Sequence, residues 1–229
     1  MTDAIPPELN PEQLNPEQNL ASALQRSAKE KPPAIAPILE TLQQLERAAK
    51  RRDSLTYDAL LGTWRLVLVS RTKRPSASKT HTKTKPDTKP QTKTQTKGQW
   101  IPAWVSIEIT YAKRSPSLSN PVRLPNLLDP GTVQNCVKVG ALKLTLSGPT
   151  QLYPNNILAF DFTQLTLEVG NLTLYRGGIR GGTAQEIRFY QQSLKTQAFF
   201  RFFWFTTLGL AARGRGGGLA LWSKVEARL

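Results

Sequence analysis

The chain has 229 residues, with 31 Lys+Arg against 16 Asp+Glu for a formal net charge of +15, and 39% of its residues are hydrophobic. That length suits one domain with appendages. Cys136 and His81 are the whole Cys and His inventory; this excludes a disulfide framework, a Cys/His zinc site and a Cys–His dyad, argues against a Ser-His-Asp triad, and calls for no metal or cofactor.

Residues 1–33 are rich in Pro, Glu, Gln and Asn, the composition of a disordered extension with a helical turn around Leu20–Leu24. Asp3, Glu8, Glu12 and Glu17 stand in the first 20 residues without a Lys or Arg, unlike a signal or transit peptide. The longest apolar run, Ala198 to Ala212, is about 15 residues and contains Arg201, short of the ~20 that a spanning helix needs. A cytoplasmic chain, soluble or peripheral to a membrane, is the expectation.

The domain proper is predicted over residues 34–229. Ile35, Ile38, Leu39, Leu42, Leu45 and Ala49 recur at three- and four-residue steps and predict an amphipathic helix, with Pro37 in its first turn and Lys50, Arg51 and Arg52 in its last. Asp53 or Ser54 caps a short second helix through Leu60, ended by Gly62. The period then falls to two. Strands are predicted at Trp64–Val69, Val105–Tyr111, Val133–Val139, Leu142–Leu146, Leu158–Phe162, Leu165–Val169, Leu172–Tyr175, Ile187–Phe189, Phe199–Phe205 and Leu219–Val225, punctuated by Gly, Pro and Asn. Many short strands at this spacing predict a mainly β fold, an antiparallel barrel or sandwich with a helical segment packed on it.

Between the first two strands, residues 71–98 consist mainly of Thr, Lys, Pro, Gln and Ser and read as a disordered insertion. Residues 71–97 carry nine basic side chains against Asp87, so over half of the charge excess sits there. Lys79, Lys83, Lys85, Lys89, Lys93 and Lys97 are candidate contacts to anionic lipid headgroups, a solubilising loop being the plain alternative. The insertion lacks aromatic side chains for base stacking, which argues against nucleic acid. The Gly-rich stretch Arg176–Gly182 reads as a hairpin loop with no helix after it to form a phosphate cradle.

Phe199, Phe200, Phe202, Phe203, Trp204 and Phe205 concentrate aromatics in one strand. Alternation sends Phe200, Phe202 and Trp204 to one face and Phe199, Arg201, Phe203 and Phe205 to the other. One face is free to line a cavity and the other to pack on the helix; plain core is the competing reading. Phe160 and Phe162 join Phe200, Phe202, Phe203 and Trp204 as candidate ligand-binding residues. Gln134 and Asn135 offer polar groups to orient a ligand head, and Cys136 reads as a small buried hydrophobe. Glu108, Asp161, Glu168 and Glu186 are scattered, with no recognisable catalytic pairing, so a non-enzymatic chain is expected.

Three blocks carry a family resemblance: Leu60-Leu61-Gly62-Thr63-Trp64-Arg65-Leu66 after the helix, Gly131-Thr132-Val133-Gln134-Asn135, and the run from Leu210 through Arg213-Gly214-Arg215-Gly216-Gly217-Gly218 to Leu221. In this order, over residues 34–70 and 99–229, the chain resembles the plastid lipid-associated protein/fibrillin family. The resemblance implies a lipocalin-like barrel that binds apolar molecules (lipid, carotenoid or prenylquinone) at thylakoid membranes or lipid droplets. It also implies a barrel end closed by Gly62 and Trp64 with Arg213 stacked on the indole, and a monomer. The acidic N-terminal stretch points to a cyanobacterial member. The insertion at 71–98 is longer than the family leads one to expect, and Arg215 stands where many members have an acidic or small polar residue. The alternative is a docking scaffold that uses the basic insertion and holds no internal ligand.

Overall fold

The computed structural model describes residues 15–25, 32–49, 54–72, 96–114 and 130–225. The predicted helix forms as α2 (Ile35–Ala48), preceded by α1 (Pro16–Gln25) and followed by the single turn α3 (Tyr57–Leu60). The strands are β1 (Gly62–Thr72), β2 (Thr96–Trp100), β3 (Val105–Lys113), β4 (Pro130–Val139), β5 (Leu142–Tyr153), β6 (Ile157–Phe160), β7 (Gln164–Val169), β8 (Leu172–Gly178), β9 (Ala198–Phe205), β10 (Gly209–Gly214) and β11 (Leu219–Lys224), with α4 (Gly182–Phe189) between β8 and β9.

Eight strands close an antiparallel barrel in the order β1, β3, β4, β5, β6, β9, β10, β11 and back to β1. The mainly β prediction holds. β7 pairs with the first half of β5, and β8 with β7, so that beyond Leu146 the sheet leaves the barrel and flares outward as β3-β4-β5-β7-β8. β2 pairs with the second half of β1, on the edge that β3 has left.

Two apolar clusters follow from this closure. Outside the barrel, the helical stripe of Ile38, Leu39, Leu42 and Leu45 packs on Leu68, Phe203, Trp204, Ala211, Leu219 and Leu221. Leu20 of α1 is fully buried in the same cluster, so the extension predicted as disordered contributes a packed helix. Inside, Tyr57, Leu60, Trp64, Tyr111, Leu158, Phe202 and Leu210 are all under 2% exposed and fill the end of the barrel beneath α3. Burying one such large apolar side chain is worth about 1.5–3 kcal/mol.

Several local expectations are corrected. Ile187–Phe189 belongs to helix α4; a three-residue apolar run carries no period that separates helix from strand. That helix follows the Gly-rich stretch, whose first residues are the end of β8, so the stretch is not a hairpin loop. β2 enters the region predicted as insertion, and β10, with its small Leu-Ala-Ala core, was hidden within the Arg-Gly-rich turn. Alternation in β9 is interrupted: Ala211 pairs with Trp204 but Ala212 pairs with Phe202, leaving Phe203 as a bulge. Phe200, Phe202 and Phe205 consequently join the inner cluster, whereas Phe203 and Trp204 lie outside under the helices.

Candidate functional site

One end of the barrel is plugged. Trp64 donates its indole N–H to the Leu60 carbonyl at 2.7 Å, which ties the first inward residue of β1 to the turn of α3. The Tyr57 hydroxyl exchanges a hydrogen bond with the Thr150 hydroxyl at 2.8 Å and lies within donating distance of the carbonyls of Ala112 (3.1 Å) and Thr132 (3.3 Å), spanning three strands. Gly131 admits this ring, since any Cβ there would overlap it. Gly62 takes φ +107°, a left-handed conformation that favours glycine, and the Lys224 side chain fills the space beside it.

The cation over Trp64 is Lys224, whose Nζ is 4.0 Å from the ring centroid and donates to the Leu61 carbonyl at 2.6 Å. Burial lowers the pKa of that ammonium from the ordinary lysine value. This corrects the expected Trp64–Arg213 stack. Trp64 pairs with Lys224 and Arg213 with Leu219, at opposite ends of β11, so the two side chains are a strand's length apart. Arg213 instead holds the Glu46 carboxylate of α2, donating Nε–H at 2.5 Å and a second N–H through Nη2, and it also donates to the Gly217 carbonyl.

The other end opens. Phe162, Phe160, Phe200 and Trp222 form a ladder of ring contacts with centroids 5.5, 4.9 and 5.2 Å apart, continued to Phe202. Phe160, Phe162 and Phe200 are only partly buried, unlike the residues of the plug. Three of the six predicted aromatic ligand contacts, Phe160, Phe162 and Phe200, therefore meet at the open end of the lumen, Phe202 lies behind them in the buried core, and Phe203 and Trp204 lie outside the barrel.

Beyond this ladder the inward face of the barrel runs onto the flared sheet, in unbroken register from β3 through β7 and with one shift, between Leu167 and Glu168, where β7 pairs with β8. Cross-strand pairs lie on one face, which gives the rows Ile109–Asn135–Leu146–Leu165, then Ile107–Val137–Leu144–Leu167–Tyr175, then Val105–Val139–Leu142–Val169–Leu172. Apart from the Tyr175 phenol, Asn135 carries the one hydrogen-bonding side chain in these rows, and it makes no side-chain hydrogen bond among the described residues. The alternate rows are polar: Ser106–Lys138–Lys143–Glu168–Thr173 and Glu108–Cys136–Thr145–Thr166–Arg176. An ion pair of 2.8 Å joins Lys143 and Glu168, and that hydrogen-bonded carboxylate raises the lysine pKa. Gln134 points with the polar rows, away from Asn135.

Only Ile109 among the residues of these apolar rows is buried. Exposure grows toward the hairpin tips, where Val139, Leu142, Val169 and Leu172 are open to solvent and Trp104, in the turn before β3, is 70% exposed. Monomeric soluble proteins rarely leave so continuous an apolar face uncovered. Alternation marks Val105, Ile107, Ile109 and Tyr111 as one half-buried strand. What it lacks is the register of four neighbours, which joins single faces into one continuous apolar face.

Lys79, Lys83, Lys85, Lys89 and Lys93 lie outside the described residues, as does His81. Lys97 is exposed on β2, opposite Arg71 of β1. Cys136 is buried on the polar side of the flare, with the Thr145 hydroxyl 3.8 Å from its sulfur. Each scattered carboxylate has a local partner: Glu108 accepts from Ser106, Glu186 from Thr163, and Asp161 from Arg180 and Gln185. Arg215 donates to the carbonyls of Lys195, Thr196 and Gln197, clamping the loop before β9. Among the described residues, no helix is long and apolar enough to cross a membrane.

No family model, curated protein or solved structure matches this chain.

Proposed function

We propose that the chain is a non-enzymatic binder of an apolar small molecule (a lipid, carotenoid or prenylquinone), held in the trough that runs from the Phe160–Phe200 ladder onto the flared sheet. The observation that carries this reading is the continuity of the lumen face with three apolar rows whose outer members, Val139, Leu142, Val169, Leu172 and Tyr175, are exposed. An apolar ligand there removes both its own surface and the sheet's from water, at roughly 25 cal/mol per Å². Asn135 is the polar group available to orient it, in keeping with sites that are mostly apolar with few polar anchors. The family resemblance adds the setting, a thylakoid membrane or lipid droplet to which a monomer binds peripherally.

Organic extraction of the purified full chain followed by mass spectrometry tests the reading. One apolar compound class near equimolar with the chain is expected, and it should be lost from Leu167→Glu, which puts a charge on the trough without touching the plug. Equal lipid content in the wild type and Leu167→Glu would sink the assignment.

A second reading, a docking scaffold on an anionic membrane, is favoured by the exposed hairpin tips. Thr72 and Thr96, which flank the most basic stretch of the sequence, lie at that same end of the barrel. It predicts that Trp104→Ser weakens sedimentation with vesicles containing phosphatidylglycerol and that salt weakens it further. Vesicle binding insensitive to both would remove this reading.

A further inference from the structure

A second concavity lies where the barrel wall and the flare separate. β6 pairs with β9 as far as Phe160 and Ala198; the chain then crosses residues 161–163 to β7, and α4 covers the gap. The resulting cleft of about 410 Å³ is walled by Phe160 and Phe189 and presents Asp161, Gln185, Gln192 and Gln197. Its volume is within the range of small-molecule sites, roughly 300–1,000 Å³.

Asp161, Gln185 and Gln197 of this cleft are held in place by hydrogen bonds within the protein. Gln197 is 4% exposed and donates its Nε2–H to the Phe189 carbonyl at 2.6 Å, which fixes the amide orientation because a carbonyl only accepts. Its Oε1 is buried with no hydrogen-bond partner among the described residues. The Arg215 clamp holds the backbone of the same loop. Across the cleft, Asp161 accepts from the Phe162 N–H at 2.8 Å, Gln185 Nε2 at 3.0 Å and Arg180 at 3.2 Å.

These groups specify the ligand. Asp161 and Arg180 cancel in charge, which selects against an ion. The amides of Gln185 and Gln192, neither fully buried, offer both donors and acceptors, the complement of hydroxyl groups, and the partly buried Phe160 offers an apolar surface to C–H faces. Phe160 also belongs to the ring ladder at the mouth of the trough, so the cleft and the trough share a wall. We propose that the cleft binds the neutral, polyhydroxylated headgroup of an amphiphile whose apolar chain occupies the trough. The proposal rests on the apolar-binding reading above, and extends it from an apolar molecule to a sugar-bearing one.

The test titrates the delipidated full chain with four water-soluble probes: a short-chain monohexosyl diacylglycerol, the same diacylglycerol without sugar, the corresponding phosphatidylglycerol, and a methyl hexoside. The glycosylated lipid is expected to bind at least about tenfold more tightly than the other two lipids, the effect of one or two added hydrogen bonds. Gln185→Ala and Gln192→Ala, neither at a fully buried position, should erase that preference and leave diacylglycerol binding as it was. Equal binding of all three lipids would overturn the headgroup site and spare the apolar trough. Binding of the methyl hexoside alone would overturn the amphiphile and the trough together, and binding of no probe would do the same.

Discussion

Tyr111 and Tyr57, neighbours at the closed end of the lumen, differ in what their hydroxyls find there. The Tyr57 hydroxyl spans three strands, whereas the Tyr111 hydroxyl, fully buried, has no hydrogen-bond partner among the described residues. Burial, and secondarily the neighbouring Tyr57, push the Tyr111 phenol far above the ordinary tyrosine value of 10.0. The sign for folding follows from linkage. Below pH 10 both folded and unfolded chains keep this proton. Above it only the unfolded chain releases it, so this residue's share of stability falls as alkalinity rises. Tyr111→Phe removes an unsatisfied hydroxyl and the titration together. It should raise stability at neutral pH by about 1 kcal/mol and flatten the decline above pH 10, as read by denaturant melts at pH 7 and pH 10.5. A lower neutral stability would mean that the hydroxyl has a partner. Composition marks a tyrosine as half polar; whether its hydroxyl finds a partner depends on atoms brought in from other strands, and no local pattern records that.

At the scale of elements, α2 was legible because a 3.6-residue stripe needs only its own sequence. Its partners were less so. The stripe packs on Leu68, Phe203, Trp204, Ala211, Leu219 and Leu221, residues from four strands. One of these strands, β10, carries alanines where β-branched residues would have marked it, because Ala211 is fully buried on the helix side and Ala212 on the lumen side. The bulge in β9 is of the same kind. Six aromatics in seven positions look alike from either face, and the pairing with β10 decides which of them turn inward. If α2 is integral to the barrel, Leu42→Ala, at a fully buried position, should cost about 2–5 kcal/mol in a single cooperative transition. A loss under 1 kcal/mol, or a separate early transition, would mean that the helix rests on the barrel without being part of it.

The whole molecule is asymmetric along the barrel axis. The α3 end is shut by Tyr57, Leu60 and Trp64. The other end gives way to the ring ladder, the flared sheet and exposed tips, and it is where β1 and β2 lead to and from the basic stretch. The strands of the flare were readable one at a time, as Val105–Tyr111, Leu142–Leu146, Leu165–Val169 and Leu172–Tyr175. Their union into one apolar face follows from registers set over as many as 70 residues of chain, from Val105 to Tyr175, which no window of sequence spans. Charge was readable in amount and in place along the chain, and the fold adds only the end of the barrel from which it departs.

Trp222 is placed to report whether the trough holds an apolar molecule. Its ring contacts Phe200 at 5.2 Å and Phe202 at 6.3 Å, behind the mouth of the lumen. Titrating the delipidated chain with a prenylquinone should quench tryptophan emission saturably at one equivalent, and Phe200→Ala or Leu167→Glu should weaken that binding at least about tenfold. Quenching that never saturates, or that proceeds equally in both variants, would contradict the account and leave the flared sheet as a docking surface.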